Sequence, residues 1–117
     1  MMNSGLEFEY HDGWIQSVTI GPRQEVNLSI CLDTVWNPNN KSAEVRFGGI
    51  SNFPSVKRFF DSVAAETSEI DGGPLIHSLH VDDKVINKPG DLYYFIDVEA
   101  IGDIRIHCKN FTERSTE

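Results

Sequence analysis

Long apolar runs are absent from this 117-residue sequence. Nothing in it approaches the roughly 20 residues that a membrane-crossing helix requires. The opening Met1-Met2-Asn3-Ser4 has neither the basic nor the apolar region of a secretory signal. These absences point to a bacterial-type cytoplasmic protein. Cysteine is scarce: Cys31 and Cys108 lie far apart and form no CxxC or zinc-type spacing, so neither a disulfide framework nor a structural metal is expected. Basic residues are outnumbered, 10 against 18 acidic, for a formal net charge of -8. A negative field repels phosphate backbones and anionic lipid, which argues against nucleic-acid and membrane partners. Gly48-Gly49 stands outside any GxGxxG or Walker pattern, and no cofactor is implied.

What is present fits one domain spanning 1–117. At 39% hydrophobic and 24% charged residues, the composition is that of an ordinary soluble globular protein. The charge is unevenly spread. Residues 1–60 hold 6 acids and 5 bases, whereas residues 61–117 hold 12 acids and 5 bases, a net of -7. Such a surface favours a basic partner, or serves solubility alone.

Period-two alternation dominates. Leu6, Phe8 and Tyr10 alternate with Glu7 and Glu9; Trp14, Val18 and Ile20 share one parity; Val26, Leu28, Ile30 and Leu32 give the clearest run. Ala43-Val45-Phe47, Leu75-His77-Leu79-Val81, Leu92-Tyr94-Ile96-Val98 and Ile104-Ile106-Cys108 follow. These are strands with one wet face. Matching parities place Ile20 opposite Val26, Val18 opposite Leu28 and Trp14 opposite Leu32. A three-residue loop at 101–103 would set Val98 opposite Ile106, Glu99 opposite Arg105 and Asp97 opposite His107.

One segment breaks the alternation. Val56, Phe59, Phe60 and Val63 recur at helical spacing after Pro54, a residue suited to a first turn. Burying these four side chains contributes on the order of 6–10 kcal/mol before entropy, which places the helix on the apolar side of the sheet. Trp36–Lys41 and Asp82–Asp91 read as surface loops, and Thr112–Glu117 as a mobile polar tail. The expected fold is therefore α+β: a mostly antiparallel, strongly curved sheet of about seven strands, with one amphipathic helix on its apolar face.

Chemistry has few footholds. His11 and Asp12 precede Trp14 and could border a small-molecule pocket, although neighbours in extended backbone point apart; a structural turn is the plainer reading. His77, His80, Asp82 and Asp83 crowd together, but only His80 and Asp82 share a strand face, too few for a metal site. His77 falls in an apolar row and reads as a core-edge histidine. No catalytic set emerges. Tyr93 and Phe95 share the outer parity with Asp97 and Glu99, giving one face two aromatics and two acids, a composition suited to a protein partner.

Phe8-Glu9-Tyr10-His11-Asp12-Gly13, the alternating Val26–Leu32 strand, Val45-Arg46-Phe47-Gly48-Gly49-Ile50-Ser51-Asn52-Phe53, and Gly102-Asp103-Ile104-Arg105-Ile106-His107-Cys108 are spaced in a way that resembles small bacterial β-rich immunity proteins of polymorphic-toxin systems. The resemblance implies a compact binding protein without enzymatic activity. Its partner would be a toxin that it neutralises. It carries over no catalytic residue.

Overall fold

The clearest alternation in the sequence becomes the middle of a sheet. Val26, Leu28 and Ile30 are fully buried while Asn27, Ser29 and Cys31 between them are half-exposed, as a strand with one dry face requires. In the computed structural model, which describes residues 6–67, 73–82 and 90–116, this strand is β2 (Glu25–Cys31). It lies between β1 (Trp14–Gly21) and β3 (Ser42–Gly48), and β3 pairs in turn with β7 (Asn110–Ser115). A second sheet holds β4 (Ile76–Val81), β5 (Leu92–Val98) and β6 (Gly102–Cys108), in that order. All pairings are antiparallel. The fold is α+β, with α1 (Phe53–Thr67) between β3 and β4; in place of one curved sheet there are two.

The sheets meet at a narrow seam. Trp14 of β1 bridges Leu75, and the N–H groups of Ile15 and Ile76 donate to the carbonyls of Pro74 (2.9 Å) and Gly13 (2.7 Å). Immediately afterwards both strands bulge, β1 between Ile15 and Ser17 and β4 between Ile76 and Ser78. A bulge adds a residue and resets parity. Ile15 is thus buried before the first bulge, and Val18 and Ile20 face the core after it; Trp14 sits opposite Cys31 rather than Leu32. In β4 the buried residues are Ile76 and Leu79. His77, expected at the core edge, is the bulged residue and is exposed, as are Leu75 and Val81.

The strand count of seven conceals an exchange. Residues 6–10 alternate but form no strand, because side chains satisfy their backbone: Glu7 N–H donates to Glu113 (2.7 Å) and Glu9 N–H to Asn37 (3.0 Å). Their alternation instead seats Phe8 and Tyr10 in the core. Conversely, Thr112–Ser115, expected in a tail, make up most of β7, where Arg114 meets Glu44 of β3. Between the sheets, Phe47, Tyr94 and Phe111 form an aromatic cluster, with Tyr94 stacked on Phe111 at 4.3 Å. Val56, Phe60 and Val63 bury one face of α1, and Phe59 is half-buried beside them. The start of α1 is anchored from outside the helix. Asn52 donates from Nδ2 to the Arg105 carbonyl (2.8 Å) and accepts the His107 N–H on Oδ1 (3.0 Å), while Ser51 N–H donates to the His107 carbonyl (2.8 Å).

The β5–β6 connection also departs from expectation. The turn is Glu99-Ala100-Ile101, with Ala100 at positive φ and Ile101 N–H donating to the Val98 carbonyl (3.1 Å). Val98 therefore pairs with Gly102, four residues earlier than Ile106. The parity is unchanged, so the same side chains face inward. Among the described residues no helix is long and apolar enough to cross a membrane.

Gly73 is the tightest point of the seam. Its φ is +73°, and a Cβ there would lie 2.1 Å from the Ile15 carbonyl oxygen. Gly73→Ala is expected to cost about 2 kcal/mol or more in chemical denaturation, from strain and displacement of the β1–Pro74 hydrogen bond. Gly90, at φ +86° with nothing within 4 Å, is the control: Gly90→Ala should cost about 1 kcal/mol.

Candidate functional site

Parity decides what the second sheet shows to solvent. With Tyr94, Ile96 and Val98 turned to the core, Tyr93, Phe95 and Asp97 share its outer face. Glu99 leaves this row. Strand β5 ends at Val98, and Glu99 enters the turn with its N–H on the Leu75 carbonyl (2.9 Å).

The register sets the neighbours. Phe95 lies between His80 and Arg105, with the His80 and Phe95 rings 5.2 Å apart. Tyr93 pairs with His107, whose ring meets it edge-on at 4.7 Å; Tyr93 is only 8% exposed. Asp97 faces Asp103 on one side and Ser78 on the other, so the expected Asp97–His107 and Glu99–Arg105 pairs do not form. The β5–β6 turn lies two residues earlier than expected, and the resulting four-residue shift in register is the reason. Among the described residues neither Asp97 nor Asp103 has an ion-pair partner. Like charges directly opposite on adjacent strands are unfavourable neighbours.

Arg105 turns the other way. Its Nε lies 2.8 Å from Oδ2 of Asp82, a carboxylate only 5% exposed. A carboxylate so withdrawn from water needs a cation nearby. Because Asp82 N–H donates to the Tyr93 carbonyl (2.9 Å), this ion pair reaches across β5 beside the two aromatics. The face is thus divided: rings and a neutralised pair at one end, unneutralised carboxylates at the other. Next to the acidic end, Glu66, Gly73, Pro74, Leu75, Glu99 and Ala100 line a hollow of about 320 Å³.

The His11 region is built differently. Gly13 N–H closes a turn on the Tyr10 carbonyl (3.0 Å), and Asp12 holds φ +65° with its N–H on the Ile76 carbonyl (3.0 Å). That left-handed residue breaks the extended geometry and brings His11 Nε2 to 3.4 Å from Asp12 Oδ2. Nδ1 of His11 donates to the His77 carbonyl (2.7 Å), and the ring meets Trp36 edge-on at 5.8 Å. Trp14 stands at the seam, half-buried, with Gly73 beside its ring. The structure therefore brings His11 and Asp12 together and adds Trp36, which sequence placed only in a loop. Its exposure depends on the fold of that loop and leaves no periodic signal.

Elsewhere, two open hollows of about 250 Å³ lie on the polar outer face of the first sheet. The charged residues there, Arg46 with Glu25 and Glu44 with Arg114, are paired among themselves. Among the described residues no three His, Cys, Asp or Glu side chains converge as a metal would require. No protein-family model matches the chain, and no curated protein shows a significant match to it.

The buried acids of the interior titrate late. Burial pushes the Cys108 thiol up from 9.0 to about 11, against a partial lowering by the Asn110 backbone. Burial, with the nearby Cys108 and Glu113 charges, pushes Tyr94 from 10.0 to about 12. Burial also raises Tyr10, whose hydroxyl donates to Glu113 (2.7 Å); that hydrogen bond and the charges of Glu113 and Glu7 raise it further. The unfolded chain loses these protons first as pH rises, so their stabilisation is complete below about pH 9 and is lost through pH 9–12. Denaturation midpoints should fall across that window, and Cys108→Ala together with Tyr10→Phe should flatten the fall. At pH 8 a thiol reagent should modify half-buried Cys31 well before Cys108.

Proposed function

We propose that this chain is a non-catalytic protein-binding protein of the bacterial cytoplasm, whose outer β4–β6 face receives a basic partner. The observation that carries the reading is the Asp97–Asp103 pair, two carboxylates set opposite each other with no ion-pair partner among the described residues, beside Phe95 and Tyr93. A lysine or arginine from a partner would relieve that repulsion, and half-buried Phe95, backed by buried Tyr93, supplies apolar area next to it. The hollow bounded by Glu66 and Glu99, with Pro74, Leu75 and Ala100 as apolar walls, has room and charge for a long basic side chain. The excess of acid in residues 61–117 strengthens attraction at a distance. Combined with the spacing that resembles immunity proteins, this makes a basic toxin neutralised by occlusion the preferred partner.

A small-molecule pocket at His11, Asp12 and Trp14 is the second reading, and the His11–Asp12 approach favours it. It has less behind it, because Nδ1 of His11 is already committed to a backbone carbonyl and its ring to Trp36.

The test begins with the proteins encoded by adjacent genes, each co-purified with this chain and titrated by calorimetry. A true partner should bind more weakly as salt is raised, and Asp97→Lys with Glu99→Lys should weaken it about tenfold or more. Affinity indifferent to both changes would reject this face.

A further inference from the structure

The connection between β2 and β3 carries Asp33-Thr34-Val35-Trp36-Asn37, two large apolar residues among turn formers. Val35 is 79% exposed and Trp36 43%. Exposure of this kind in a loose loop would mean little, but this loop is braced. The Asp33 carboxylate accepts the Val35 N–H (2.7 Å), and the Asp33 carbonyl accepts the N–H groups of Trp36 (3.2 Å) and Asn37 (3.0 Å). Asn37, only 6% exposed, then fixes the turn to the body of the protein. Its Oδ1 accepts the Glu9 N–H (3.0 Å) and its Nδ2 donates to the Glu9 carbonyl (2.7 Å). His11 supports the indole from the side, held in place by its bond to the His77 carbonyl.

We propose that the Val35–Trp36 turn is a pre-formed anchor that packs against a segment of a protein partner in which a large apolar side chain is flanked by lysine or arginine. Two physical arguments carry it. Tryptophan concentrates binding energy at interfaces, and a turn already ordered loses little freedom on docking. The charge around it then selects the occupant. Segments 7–12 and 32–41, which frame the turn, contain Glu7, Glu9, Asp12 and Asp33 against a single base, Lys41 at the foot of the loop. A second copy would meet like charge with like; a partner with a basic rim would be drawn in. The inference rests on the reading of the chain as a protein-binding protein but not on the β4–β6 face.

A phage-displayed library of random linear peptides panned on the full chain tests it without a known partner. Enriched sequences should place a large apolar residue near lysine or arginine. A synthetic peptide of that consensus, titrated by calorimetry, should lose about tenfold or more in affinity with Trp36→Ala and with Val35→Ser, and should be insensitive to Asp97→Lys. Val35→Ser alters a side chain that is almost wholly in solvent, so its result does not depend on the fold surviving a larger change. Failure to enrich any such sequence, or an affinity that neither Trp36→Ala nor Val35→Ser lowers relative to the unaltered chain, overturns the anchor. Loss with Asp97→Lys alone would overturn it too, while supporting the β4–β6 face.

Discussion

The seam where β1 and β4 touch and then separate governs the rest of the structure. The two strands share one bridge, at Trp14 and Leu75, and each bulges within two residues of it. A bulge bends and twists its strand. Two of them side by side send β1 into one sheet and β4 into the other. The interior that results receives Phe8 and Tyr10 from the N-terminal segment, the buried face of α1, and the Phe47–Tyr94–Phe111 cluster. Gly73 sits where the two backbones pass most closely, and no other residue type fits that approach.

Much of this was legible as alternation, and its failures have physical causes. In β2, β3 and β6, and in β5 from Tyr94 onward, the buried parity follows the sequence, because a strand packed on one face has no freedom to choose otherwise; at the start of β5 it fails, with Leu92 exposed and Tyr93 buried. Where a bulge intervenes the rule breaks: Ile15 and Ile76 replace Trp14, Leu75 and His77 as inward residues. Alternation also does not name its partner. Leu6–Tyr10 satisfies its backbone through side chains, whereas Thr112–Ser115, polar on both faces, becomes an edge strand through pairing with β3. On the candidate face, Tyr93, Phe95 and Asp97 were readable from parity. The opposition of Asp97 to Asp103 was not, because it follows from a turn placed two residues earlier, which moves the register by four and keeps the parity.

Charge on the second sheet is organised rather than merely abundant. Asp82 is withdrawn from water and neutralised by Arg105, and Asp91 is paired with Lys109. Asp97, Asp103 and Glu99 are left at the other end, where the turn and the end of α1 add Glu66 around a partly apolar hollow. The division gives the face a direction. For the partner proposed above, long-range attraction and close packing would have separate sources, the former in the lopsided acid content and the latter in the ring of Phe95 beside it.

The clasp formed by Ser51 and Asn52 on β6 has a consequence for the molecule among its own copies. A strand at the border of a sheet presents bare N–H and C=O groups that invite another chain to add on, the first step toward fibrous association. On β6 the carbonyls of Arg105 and His107 and the N–H of His107 are already taken by one amide side chain and its neighbour's backbone. An asparagine thus stands in for a missing strand and leaves those groups with nothing to offer a further strand on that side.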